Sequence, residues 1–65
     1  MKIKILKEDH FVVETRGIKK GDIVNVINRA PSEYPNKGIA YLVNGNISGS
    51  VPIVIYTNEC EIVEQ

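Results

Sequence analysis

The stretch from Ile18 to Asn28, IKKGDIVNVIN, limits what this chain can fold into more than any other. Gly21 suits a backbone reversal, and Asp22 can hydrogen-bond the turn beside it. Ile23, Val24, Val26 and Ile27 follow, all β-branched, with Asn25 between them and Asn28 closing the run. Such side chains fit the pleated surface of a sheet. The pattern predicts a turn feeding a strand over 22–29, able to pair on both sides. Alternation puts Val24 and Val26 on one face and Ile23, Asn25 and Ile27 on the other. The second set needs cover, from the N-terminal strand or from a partner chain.

The other segments read as partners for this strand. Lys2, Lys4 and Lys7 alternate with Ile3 and Ile5, Leu6 breaking the phase, in a strand with one wet face. The lysines also guard an exposed edge. After Glu8, Asp9 and His10, Phe11-Val12-Val13 resumes the extended pattern. The expectation is one bent strand over 2–14, or a hairpin of two. Thr15 to Gly21 is a polar link in which Ile18 tucks under the turn. Residues 30–38, APSEYPNKG, form the longest loop, because Pro31 and Pro35 disfavour both helix and central strand. Strands follow at Ile39–Val43 and Val51–Tyr56, separated by a loop opening on Asn44-Gly45, a strong turn signal. Thr57-Asn58-Glu59 suits one turn of 3-10 helix, and Cys60–Val63 a brief last strand. No stretch of twelve residues has a helical period. Five short strands imply an all-β fold, a small barrel whose closure removes exposed edges.

Size and charge narrow the functions. A chain of 65 residues makes one domain, 1–65, with a small core. The net charge is zero, with all eight basic residues within 1–37 and a C-terminal part carrying only Glu59, Glu61 and Glu64. A dedicated nucleic-acid binder shows a basic excess, which lowers that reading. A single cysteine, Cys60, excludes an internal disulfide and fits a reducing compartment. MKIKILKEDH lacks the apolar core of a secretory signal, and no apolar run approaches the roughly 18 residues of a membrane span. A cytoplasmic location is the expectation.

The order of signals resembles a Src-homology-3-type barrel. The matching pieces are the segment Ile18 to Val26, the strands Ile39–Val43 and Val51–Ile55, and Tyr56 to Val63. In such barrels a diverging turn leads into the second strand, followed by a variable loop, a distal hairpin, a 3-10 turn and a short final strand. The resemblance implies a core of Ile18, Val24, Val26, Val43 or Leu42, Ile53 and Cys60. The chain departs from the peptide-binding members, having no tryptophan and Phe11-Val-Val-Glu14 in place of their tyrosine-rich segment. Pro52 and Tyr56 approximate their last two contact positions. The compact make-up with zero net charge is also similar to small proteins of phages and mobile elements.

Tyr34, Tyr41 and Tyr56 are the recognition candidates, since an exposed tyrosine offers a rigid apolar face and a polar tip. Tyr34 sits between Pro31 and Pro35 on a constrained loop. For Tyr41 and Tyr56, on strands, ordinary packing is the competing reading. Arg16, Lys19, Lys20 and Arg29 make an alternative phosphate-contacting patch if the fold gathers them. His10, Cys60, Glu8 and Asp9 have no metal-ligand spacing. Cys60 lacks a base and an orienting group, and suits a small buried position. No glycine-rich segment matches a phosphate loop, and a barrel this small has little room for a pocket of about 300 Å³. No cofactor and no catalysis are expected. The residues point to a non-enzymatic module that binds a partner protein, or a second copy of itself, through a tyrosine-bearing face and the 30–38 loop. A nucleic-acid accessory barrel and a purely structural subunit are the alternatives.

Overall fold

In the computed structural model, residues 1–31 and 39–65 are described, Ala30 and Pro31 by their backbone alone. Among these residues there are five strands: β1 (Lys2–Ile5), β2 (Ile23–Pro31), β3 (Ile39–Val43), β4 (Ile53–Tyr56) and β5 (Cys60–Glu64). A short helix, α1 (His10–Arg16), lies between β1 and β2, and a 3-10 turn, Thr57–Glu59, between β4 and β5. The sheet is antiparallel throughout, in the order β4-β3-β2-β1-β5. It curls into a half-barrel of the all-β class.

β2 belongs to both halves of the curl. Its first residues pair with β1, Val24 opposite Ile3 and Ile23 opposite Lys4. From Val26 onward it pairs with β3, Val26 opposite Val43. The register slips between Val26 and Asn28, a bulge that bends the strand and increases its twist. The bend turns the two halves towards one another, so a single strand closes the core from two sides. Val24 is buried and Val26 packs against the core, on the face that alternation predicts, while Ile23 and Ile27 on the other face are exposed and not covered by the N-terminal strand.

The turn before β2 is pinned to the end of β1. Gly21 has φ of 92° and donates its N–H to the Ile5 carbonyl at 2.8 Å. Asp22 closes the turn twice: its N–H donates to the Lys19 carbonyl at 3.0 Å, and its carboxylate accepts from the Lys19 N–H at 2.9 Å. Beneath it Ile18 is 1% exposed, so it does tuck under. Ile3, Ile18 and Val43 are the largest fully buried side chains, with Ile5, Tyr41, Ile55 and Cys60 around them.

Two expectations need correction. The segment expected to be extended as far as residue 14 is helical from His10. Its ends explain why. The Asp9 carboxylate accepts from the N–H groups of Phe11 (2.9 Å) and Val12 (3.3 Å), satisfying donors that a helix start leaves unpaired. Gly17, with φ of 69°, ends the helix in the left-handed region and donates to the Val13 carbonyl. These caps, and Val12 packed on the core, outweigh the extended preference of two valines. The second correction concerns closure. β4 and β5 are the two ends of the sheet rather than neighbours, so the curl leaves a seam. The 3-10 turn carries the chain from one edge to the other. The fourth strand is also shorter than expected, starting at Ile53 rather than Val51.

Ile18 fills the space beneath the turn and has no alternative partner there. Ile18→Ala is expected to cost about 2–5 kcal/mol, the usual price of truncating a buried isoleucine. Urea denaturation followed by circular dichroism measures it, and a loss below about 0.5 kcal/mol would contradict the packing described.

Candidate protein-interaction site

The two tyrosines among the described residues, Tyr41 and Tyr56, do not share a face. Tyr41 lies directly opposite Ile55, and Tyr56 opposite Ala40. Residues opposite one another in a ladder share a face and successive residues do not, so Tyr41 and Tyr56 point to opposite sides. Tyr41 is 8% exposed and belongs to the core, in line with the ordinary packing that competes with its reading as a recognition residue. In Ile39-Ala-Tyr-Leu-Val43 every residue is apolar apart from the tyrosine hydroxyl, so the sequence gives no parity. Tyr56 is half-buried at the end of β4. Tyr34 and Pro35 lie outside the described residues. Pro31 closes β2 opposite Ile39, and its side chain lies outside the description too.

The basic residues are not gathered either. The Arg16 guanidinium is a structural clamp. Its Nε donates to the Val51 carbonyl at 3.1 Å and its Nη1 to Thr15 Oγ1 at 2.8 Å, and it lies 5.8 Å from the centre of the Phe11 ring. The Arg16 carbonyl accepts from the N–H groups of Asn46 (2.6 Å) and Ile47 (3.2 Å). Gly45 permits this approach. A Cβ there would lie 2.8 Å from Arg16 Cβ and 2.6 Å from Ser50 Oγ. Its absent side chain therefore serves close packing rather than an unusual turn angle. Lys19 and Lys20 are exposed at the turn preceding β2, whereas Arg29 is exposed near that strand's far end, about 20 Å away at 3.3 Å per residue.

What the fold does build is a groove between β4 and α1, of about 240 Å³, with Lys7, Asp9 and Glu59 among its lining residues. One bank is β4, whose four residues, Ile53 to Tyr56, all line it. Side chains alternate along a strand, so a groove touching four in succession follows the strand's edge and not one face. The other bank carries Phe11 and Val12 of α1, and the floor includes Ile18. Phe11 is 63% exposed and Val54 40%. The backbone of Tyr56 faces away from β3: its N–H donates to Glu59 Oε1 at 3.1 Å and its carbonyl accepts from the Cys60 thiol at 3.5 Å. Backbone groups also alternate, so the Val54 amide and carbonyl are directed off the same edge. Sequence reasoning missed this groove because α1 forms half of it.

The titratable groups offer little chemistry. His10 meets Glu14 at 3.0 Å on the exposed side of α1. Among the described residues no group of three or more His, Cys, Asp or Glu side chains could hold a metal ion, and no helix is long and apolar enough to cross a membrane. Cys60 is buried, and burial followed by the charge of Glu59 pushes its thiol above the ordinary value. A raised value keeps the thiol protonated and unreactive.

Searches for matching family models, curated proteins and solved structures found none for this chain.

Two outcomes follow from these contacts. Arg16→Ala should lower stability by about 1–2 kcal/mol through its lost hydrogen bonds, whereas Lys20→Ala should stay within about 0.5 kcal/mol. Chemical denaturation of both variants compares them, and equal effects would refute the clamp. Folding favours the neutral Cys60 thiol, so its contribution is complete below the unfolded-state value and is lost as pH rises through the alkaline range towards the folded one. Iodoacetamide should accordingly alkylate the folded chain more slowly than the urea-unfolded chain at the same pH, and equal rates would contradict this protection.

Proposed function

We propose that this chain is a non-enzymatic protein-interaction module that takes an extended segment of a partner protein along the open edge of β4. The observation that carries this reading is the groove itself. It runs beside the outer edge of β4, with Phe11 and Val12 on one bank and Ile53 to Tyr56 on the other, Lys7, Asp9 and Glu59 also lining it, and the Val54 backbone directed off that edge. Adding a strand to a sheet edge gains affinity from main-chain hydrogen bonds and specificity from pockets for alternate side chains. The two edges differ in the right way. β5 carries Glu61 and Glu64, while β4 carries no charge. Charged side chains keep an edge from pairing, which leaves β4 as the receptive one. The occupant best suited to such a site is an extended segment with apolar residues at alternate positions.

The strand order, the pinned turn before β2 and the 3-10 turn before β5 support reading the fold as a Src-homology-3-type barrel. Within that reading the function class inferred from the residues is unchanged. Its surface moves to the groove between β4 and α1, where Tyr56 remains a contact beside Phe11 and Val54.

The test is a titration of immobilised peptides of alternating apolar pattern, followed by calorimetry of the best binder. Val54→Pro removes the outward N–H at a place where an edge strand tolerates proline, and should weaken binding at least about tenfold, or about 1.4 kcal/mol. Phe11→Ala should weaken it without altering the sheet. Binding unchanged in both variants, or no peptide bound at all, would reject the groove. A concentration-dependent dimer disrupted by Val54→Pro would make a second copy the occupant instead.

A further inference from the structure

We infer that Asn44 is a site of spontaneous modification, converting to isoaspartate through attack by the Gly45 backbone nitrogen. The chain has six asparagines, at 25, 28, 36, 44, 46 and 58, followed by Val, Arg, Lys, Gly, Ile and Glu respectively. The nitrogen of the next residue can close a five-membered ring on an asparagine side-chain carbonyl only if the backbone between them turns freely. A following side chain hinders that turn, and glycine alone presents none. Only Asn44 meets the condition.

The fold leaves the Asn44 side chain exposed, while Gly45 is packed against Arg16 and Ser50, so ring closure requires the loop to shift there. Asn44 is exposed and lies just beyond β3, outside the ladder. The backbone donors that hold the loop are those of Asn46 and Ile47, to Arg16, and of Ser50, to Ile47. Among the described residues the Gly45 N–H donates to none, so ring closure breaks no hydrogen bond of the nucleophile. Gly45 N gives up its proton to solvent and bonds to Asn44 Cγ. The bond from Cγ to Nδ2 breaks, and the nitrogen leaves as ammonia. Water then opens the succinimide. Opening at the main-chain carbonyl leaves isoaspartate, and opening at Cγ leaves aspartate. Water is the only co-reactant, and nothing is oxidised or reduced.

The position gives the reaction a structural effect. Isoaspartate inserts an extra carbon into the main chain next to Gly45, which is wedged between Arg16 and Ser50 Oγ without room for even a methyl group. One residue further on, the Asn46 and Ile47 N–H groups hold the Arg16 carbonyl, and Asn46 Nδ2 donates to the Gly17 carbonyl at 3.1 Å. A longer main chain at 44 puts these bonds out of register and loosens the C-terminal anchor of α1.

The experiment incubates the folded protein at mildly alkaline pH and body temperature. Proteolytic mass mapping then locates any exchange of amide for acid, and isoaspartate methyltransferase labelling separates isoaspartate from aspartate. A synthetic peptide spanning 40–48 is run beside it. Isoaspartate accumulating at 44 in the folded protein at a rate comparable with the peptide's, and abolished by Asn44→Gln, supports the inference. The modified fraction, separated by its added charge, should then show faster hydrogen exchange in α1. Asn44 intact in the folded protein while the peptide converts would overturn the site, and a modified fraction with unchanged α1 exchange would overturn its effect on the anchor.

Discussion

The bulge in β2 is the constraint on which the rest of this molecule depends. A strand of nine residues without it would continue straight, and β3 and β4 would diverge from β1 and β5. Bending between Val26 and Asn28 makes both halves face one core. Ile3 with Val24 on one side, and Val43 with Val26 on the other, then bury against Ile18. In a chain this small few side chains are fully buried, so each carries a large share of a modest stability.

Much of the sheet is legible in the residues because its signals are local. Gly21 and Asp22 announce a turn, β-branched residues announce β2, and the short Thr57–Glu59 turn precedes Cys60 as its polar residues suggest. The helix is hidden because Phe11-Val-Val13 favours an extended chain and seven residues show no convincing period. Its punctuation was nevertheless present: Asp9 just ahead and Gly17 just after are the start and stop signals of a short helix. Tyr41 is illegible for another reason. A strand with apolar residues at every position has no readable inward face until its neighbours fix the register.

The candidate site shows the same division. Arg16 carries the charge expected of a phosphate contact, yet its guanidinium and carbonyl tie the helix to the loop before β4. A charged residue next to a glycine-rich loop across the fold cannot be identified as a clamp from sequence, because Gly45 lies 29 positions away and only packing joins them. The groove likewise combines residues from α1 and β4, segments that are remote in the chain. Local patterning finds elements, whereas a site shared between elements is visible only once they meet.

The difference between the two outer strands has a consequence for assembly. A sheet with two receptive edges can join copy to copy without end, each β4 meeting the next chain's β5. Here that junction would strip water from Glu61 and Glu64 beside valine and isoleucine, with no cation supplied by β4. Growth of copy upon copy through this junction is therefore disfavoured by the chemistry of the outer strands themselves.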